Sequence, residues 1–416
     1  MELYRLFSEC PHVATDSRNI DSGAIFFALK GASFDGNRFA ADALRRGAAF
    51  AVVDDPAVAE ENPGLRGRLV VVGDTLRALQ ELAREHRRRL GIPVVGIVGS
   101  NGKTTTKELV SRVLAERFRV GATRGNLNNH IGVPLTLLSL TGGEELAVVE
   151  MGASACGEIA RLCTIAEPDF GLITNIGRSH LEGFGGPEGI RRGKGELYDW
   201  LAAHGGCAFV RQEDGVLTEM AAERPALRVE RYASSLADGV ESLLEGEYNR
   251  FNIAAAVAVG RHFGVSDGQI RRAVGSYVPD NHRSQRCRTA RNTVILDCYN
   301  ANPSSMAAAV EHALKEPLGE RRRRLLVLGD MLELGEWSLG EHRRILEQAL
   351  GADAELWLVG SCFAAAFAAL GRPAGVRLFP DRNALEEELR AHPVDNAFVL
   401  VKGSHGIGLE HCAELL

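Results

Sequence analysis

Apolar residues fall along this chain in short continuous runs, separated by longer amphipathic stretches. In residues 1–90, apolar runs at 24–29, 50–54 and 68–73 read as strands, and 39–48 reads as a helix. A longer helix is predicted over 75–90, where Leu76, Leu79 and Leu82–Ala83 fall at helical spacing with arginines between and after them. Gly91 and Pro93 then punctuate the chain and mark a boundary. Beyond them, the run PVVGIVG at 93–99 leads through a glycine loop into an amphipathic helix. That helix carries Leu109, Val110, Val113, Leu114 and Phe118 on one face. Further strands are expected at 146–150, 170–174 and 207–210. After Pro279 the pattern restarts, with strand-like runs at 293–297, 325–329, 356–360, 376–379 and 398–403. Nearly continuous apolar strands alternating with helices indicate parallel sheets covered on both faces. The expected architecture is α/β in three domains, 1–90, 91–280 and 281–416, the last of Rossmann type.

Composition narrows the class without changing this picture. The chain has 416 residues, 45% apolar and 25% charged, with a net charge of −6. That balance is ordinary for a soluble globular protein and argues against a nucleic-acid binder. The runs Arg87–Arg89 and Arg321–Arg324 each precede an apolar run and read as solvated helix ends or loops. The eight cysteines contain no C-x-x-C pair, so reduced and mostly buried thiols are expected, with neither a zinc site nor a disulfide framework. The N-terminus lacks an apolar leader segment, and no run of about 18 apolar residues could span a bilayer. A cytoplasmic monomer without membrane insertion is expected.

The chemistry concentrates first in GIVGSNGKTTTKE, 96–108. The strict phosphate-loop spacing needs a glycine at position 97, which is Ile97; the glycines stand at 96, 99 and 102. Even so, a strand, a glycine loop and a helix together aim free backbone N–H groups at one point, where the helix dipole favours an anion. Lys103 adds a charge for the outer phosphates, and Thr104 a hydroxyl for Mg²⁺. Glu150 ends a predicted strand, where a carboxylate faces the ligand crevice of a parallel sheet and is suited to the same cation. His180 and Lys194 lie in the polar segment 172–200; spacing alone gives neither a role.

These stretches form part of an ordered series. GSNGKTTTKE at 99–108, GNLNNHIGVPLTLL at 125–138, VEMGAS at 149–154 and TNIGRSHLEGFGG at 174–186 are followed by YNRFNIAAA at 248–256 and NHRSQ at 281–285. DCYNANPSSM at 297–306, VLGDMLELGE at 327–336 and VKGS at 401–404 complete it. Together they resemble the ATP-dependent Mur ligases, over nearly the whole chain. DSRNIDSGAIFFALKG at 16–31 and DGNRF at 35–39 resemble the uridine-nucleotide-binding domain of that family. The resemblance implies a UDP-substrate domain, a central P-loop ATPase with a mostly parallel sheet, and a C-terminal Rossmann-like domain. It also implies the joining of a UDP-N-acetylmuramoyl-tripeptide carboxylate to the amine of D-alanyl-D-alanine through an acyl phosphate.

On that basis Gly99, Ser100, Asn101, Gly102, Lys103, Thr104 and Thr105 would hold ATP phosphates. Thr104 and Glu150 would bind one Mg²⁺; His180 and Lys194, the latter as a carbamate, would serve a second. Asn249 and Asn252 would lie around the adenine, Arg283 at the γ-phosphate, and Asp297 at the ribose or phosphate. Asn300, Asn302 and Asp330 would form the dipeptide pocket, Asn126 and Asn129 the muramoyl-peptide path, and Ser17 and Lys30 the uracil or diphosphate contacts. Two positions depart from the family pattern: Tyr248 precedes Asn249 where histidine is frequent, and His405 follows KGS where arginine is common. The alternatives are a sibling ligase adding one amino acid, a folylpolyglutamate synthase-like ligase, or a P-loop nucleotide switch. The last lacks its N-K-x-D signature here.

Overall fold

The computed structural model describes residues 2–244, 246–279, 285–319, 321, 323–350 and 352–416. Three sheets follow one another along the chain. The first has four parallel strands in sequence order, Val13–Ala14, Ile25–Phe27, Phe50–Val53 and Leu69–Val71. The second has six parallel strands in the order Arg228–Tyr232, Cys207–Arg211, Phe170–Ile173, Val94–Val98, Leu146–Glu150 and Val120–Ala122. In the third, an antiparallel edge strand, Gln285–Arg288, joins five parallel ones. These five run Thr293–Asp297, Ala397–Lys402, Arg323–Gly329, Glu355–Val359 and Val376–Phe379.

Strand order reverses beside Val94–Val98, with one neighbour on each side reached later in the chain. Such a switch point opens a crevice at the carboxyl ends of the strands. The helix Lys103–Ala115 covers one face there, burying Leu109, Val110, Val113 and Leu114 completely. Each such side chain contributes roughly 1.5–3 kcal/mol by leaving water.

The helix Thr75–Leu90 matches its predicted span. Asp74 caps its start by accepting the Arg77 N–H, and Gly91 ends it in the left-handed conformation, φ +62°. Leu79, Leu82 and Ala83 belong to a core shared by the first and second sheets, so this helix joins the two units. Arg87 corrects the solvated reading of its arginine run. Its side chain is buried and donates to Ala166 O, Glu167 O and Asp169 Oδ2 at 3.0, 2.9 and 2.7 Å. Only Cys163, Cys207, Cys298 and Cys412 of the eight thiols are buried, the others being half-buried, and all eight are free.

Candidate active site

The loop after Val94–Val98 is laced to the loop after Phe170–Ile173. Ser100 N–H donates to Asn175 O at 3.1 Å, Asn101 N–H to Asn175 Oδ1 at 3.1 Å, and Thr174 Oγ1 to Asn101 O at 2.6 Å. Gly99 has φ +151° and Gly102 φ +78°. A Cβ on Gly99 would lie 1.8 Å from Thr174 Oγ1, so only glycine fits. Gly102 opens the helix, leaving its first N–H groups aimed into the cleft.

Two lysines converge on one carbonyl. Lys103 Nζ and Lys194 Nζ both donate to Gly99 O, at 2.8 and 3.2 Å. Lys194 comes from the helix Pro187–His204 and is almost wholly buried. Burial, and then the Lys103 charge, hold its amine well below the usual lysine range.

Glu150 is also buried. Its Oε1 accepts from Asn128 Nδ2 at 2.8 Å, and its N–H donates to Thr123 Oγ1 at 3.0 Å. Its Oε2 is buried with no hydrogen-bond partner among the described residues. A buried carboxylate oxygen in that state is costly unless a cation meets it.

The loop from Ser100 to Thr105, with Asn128 and Glu150, lines one cleft of about 820 Å³ between the central and C-terminal sheets, with His180 on its wall; Lys194, bonded to Gly99 O, is not part of that lining. Asn249 and Asn252 line it from the helix Glu247–His262. Asn252 Nδ2 donates to Asn249 Oδ1 at 2.8 Å, and Thr106 Oγ1 to Asn252 Oδ1 at 3.1 Å. From the C-terminal sheet come Asp297, Asn300 and Asn302. Asp297 ends its strand opposite Lys402 in register, and Lys402 Nζ donates to Asp297 Oδ2 at 2.6 Å. Asn302 Nδ2 donates to Asn101 Oδ1 at 2.7 Å, tying the C-terminal unit to the phosphate loop.

The geometry revises several sequence expectations. Asn126, expected on the muramoyl-peptide path, does not line the cleft; its neighbour Asn128 does, and reaches Glu150. Asn126 is exposed and outside the cleft, while its carbonyl accepts the Asn128 N–H at 2.8 Å. Asn129 lines the cleft, although its Oδ1 also accepts from Ile131 and Gly132 N–H. Asp330 is not in the cleft lining. It is buried, and its carboxylate accepts the Cys362 and Phe363 N–H groups at 2.9 and 2.8 Å, capping the helix Ser361–Ala369. A short polar residue after a strand carries the same sequence signal whether it caps a helix or meets a ligand. Ser17 and Lys30 lie in the N-terminal unit away from this cleft, with Lys30 Nζ 2.8 Å from Asp54 Oδ1. Arg283 lies outside the described residues.

Sequence reasoning missed Arg211, Phe251 and Lys402, which line the cleft together with Tyr248. The Arg211 guanidinium lies 4.0 Å over the Phe251 ring, a stacked pair in the same lining as Asn249 and Asn252. Lys402 was visible only as part of VKGS.

Three family models match in chain order: Mur ligase family, catalytic domain at residues 10–87; Mur ligase middle domain at 97–251; and Mur ligase, glutamate ligase domain at 282–405. UDP-N-acetylmuramoyl-tripeptide–D-alanyl-D-alanine ligase of Bacillus subtilis is 37% identical over 343 residues, covering 78% of this chain and 74% of its own. The chain belongs to the Mur ligase family. Among solved structures, this Mur ligase superposes on MurF from Acinetobacter baumannii with TM-score 0.85 at 31% identity, covering 97% of this chain and 93% of that one. MurF ligase from Thermotoga maritima, in complex with ADP, matches with TM-score 0.82 at 27% identity, over 97% and 96% of the two chains. Among the described residues, no helix of this Mur ligase is long and apolar enough to cross a membrane.

Proposed function

We propose that this Mur ligase joins D-alanyl-D-alanine to UDP-N-acetylmuramoyl-tripeptide in peptidoglycan precursor synthesis, converting ATP to ADP and phosphate. The observation that carries this reading is the single cleft in which the phosphate loop and Glu150 face Asp297, Asn300, Asn302 and Lys402 of the C-terminal sheet. Relatives of the stated activity match along the same length. The working units are 1–90 for the UDP substrate, 91–280 for ATP and 281–416 for the dipeptide.

A carboxylate resists attack by an amine because its leaving group would be an oxide. Transfer of the γ-phosphoryl group to a carboxylate oxygen releases ADP and leaves an acyl phosphate. The dipeptide amine then forms the C–N bond, the C–O bond to phosphate breaks, and the amine proton passes to solvent. Phosphoryl transfer asks the protein for positioning and charge neutralisation. The N–H groups of 102–105 and Lys103 hold the phosphates, with Gly99, Ser100 and Asn101 shaping the loop. Asn249 and Asn252, beside the Arg211–Phe251 wall, hold the base. Arg283 would reach the γ-phosphate, and Asp297 the ribose or phosphate.

The donor set fits Mg²⁺. The unpartnered Glu150 Oε2 and the Thr104 hydroxyl supply the hard oxygens that this ion prefers. His180 and Lys194 would hold a second ion, provided Lys194 is a carbamate. A neutral buried amine is the form that adds to carbon dioxide, and the anionic product would form an ion pair with Lys103. Mg²⁺ bound there would neutralise charge on the transferring phosphoryl group. The protein is proposed to act as a cytoplasmic monomer.

An acceptor panel tests the assignment. Mass spectrometry of reactions with UDP-N-acetylmuramoyl-tripeptide should show addition of D-alanyl-D-alanine. Addition of lysine or diaminopimelate to the corresponding dipeptide substrate, with no D-alanyl-D-alanine product, would move the chain to a sibling activity.

A further inference from the structure

Two loops interlock across the seam between the central and C-terminal sheets. One follows the strand Phe170–Ile173 and carries His180; the other follows Arg323–Gly329 and carries Glu333. His180 has φ +52° and Glu333 φ +61°. Glu333 is not of a type that adopts left-handed backbone readily, and such conformations persist where surrounding contacts enforce them, often at functional sites. The contact here is direct: the Glu333 carboxylate lies against His180 Nδ1, a buried nitrogen with no other partner among the described residues. The loops also touch through Glu182 N–H and Glu333 O at 3.5 Å. Gly335 packs so closely that an added Cβ would lie 3.0 Å from the Glu182 side chain.

His180 lines the reaction cleft and Glu333 does not. The ring thus stands between the Glu333 carboxylate on one side and the cleft on the other. A neutral imidazole whose Nδ1 faces a carboxylate carries its proton on Nδ1. Its Nε2 is then a lone pair. A carboxylate on the far nitrogen is a common means of fixing both tautomer and ring orientation of a functional histidine.

We infer that Glu333 is a positioning residue: carried on the C-terminal unit, it holds His180 in the Nδ1–H tautomer with Nε2 presented to the cleft, so the site is complete only when that unit is docked. Binding in the C-terminal unit would thereby be coupled to readiness of the phosphoryl-transfer centre. The inference rests on the ligase reading for its kinetic consequence, though not for its spectroscopic one.

The test uses the full chain labelled with ¹⁵N-histidine, as wild type, Glu333→Gln and Glu333→Ala, with His180→Asn to assign the signals. Wild type and Glu333→Gln, whose amide oxygen can still accept from Nδ1, should show the Nδ1–H tautomer at His180. Glu333→Ala should shift the ring toward Nε2–H. In steady-state assays, Glu333→Ala should lower kcat by about 10–100-fold, with KM for ATP nearly unchanged, and Glu333→Gln should retain most of the activity. An unchanged His180 tautomer in Glu333→Ala would overturn the inference. So would equal kcat in the Ala and Gln variants, with only KM for the dipeptide raised, because that pattern marks a docking contact alone. An inactive wild type showing the expected tautomer pattern would count against the ligase reading and leave the positioning role standing.

Discussion

Lys194 is the residue whose environment departs furthest from what its type prefers. Its buried amine shares the Gly99 carbonyl with Lys103 and lies 5.1 Å over the Phe184 ring. Neither contact supplies a negative charge, and a carbamate would. Lys194→Ala should therefore lower ligation by at least about 100-fold, and added formate or acetate should restore part of it by supplying the missing anionic oxygens. Near-wild-type turnover of the variant without added acid would remove the carbamate from the account. At this scale the sequence was informative where chemistry is local. Gly99, Gly102, Lys103 and Glu150 could be placed because a glycine loop between strand and helix, and an acid at a strand end, fix their own surroundings. Asn128 was not singled out, because its contact with Glu150 joins segments 22 residues apart and leaves no local signal.

Among elements, the helix Thr75–Leu90 shows what periodicity reveals and what it conceals. Its span followed from leucine spacing, the Asp74 cap and Gly91. Its role as a joint did not, because the burying partners are distant in the chain. His86 illustrates this. It is buried, contacts the Tyr4 hydroxyl at 3.1 Å through Nδ1, and contacts Leu140 O at 2.8 Å through Nε2. Burial lowers its pKa below the usual 6.5, against smaller opposing effects of the Leu140 bond and Glu144. The folded chain thus binds fewer protons than the unfolded chain just below pH 6.5, so this group's contribution to stability declines on acidification through that window. Urea unfolding at pH 7.5 and 5.5 should show a smaller pH-dependent loss in His86→Gln than in wild type. The difference should not exceed about 1.4 kcal/mol per pH unit for one proton. An equal loss in both proteins would refute the assignment.

The helix Pro187–His204 escaped periodicity for a different reason. It contains Gly189, Gly193 and Gly195, which lower helix propensity. Close packing requires at least the first of them, since a Cβ on Gly189 would lie 1.8 Å from Phe184 O. Tertiary packing overrode the local preference. The two- and three-residue strands Val13–Ala14 and Val120–Ala122 are too short to carry a pattern at all.

For the whole molecule, three α/β units in order were legible because each repeats the same alternation of apolar strand and amphipathic helix. Their docking was not legible, since it depends on contacts between segments far apart in sequence, both polar ones and the shared apolar cluster of Leu181, Phe184 and Ile190 with Met306 and Leu334. The C-terminal unit is held against the central one by Asn302 on Asn101, by Ser304 Oγ accepting the Arg178 N–H at 2.9 Å, and by Arg178 on Glu341 at 2.5 Å. Glu341 is buried and also meets Arg344 at 3.0 Å. Arg178→Ala should shift the docked population by about 1–2 kcal/mol, roughly 5- to 30-fold. Small-angle scattering should then report a larger radius of gyration for the variant than for wild type. Identical scattering would show that this ion pair does not govern docking.

The central claim is that ATP activates the tripeptide carboxylate for attack by the dipeptide amine. Phosphate release with UDP-N-acetylmuramoyl-tripeptide, measured with and without D-alanyl-D-alanine, addresses it most directly. Sustained phosphate release is expected only when both substrates are present, matched one to one by UDP-N-acetylmuramoyl-pentapeptide and abolished in Lys103→Ala. Phosphate release at the same rate without D-alanyl-D-alanine, or full ligation by Lys103→Ala, would contradict it.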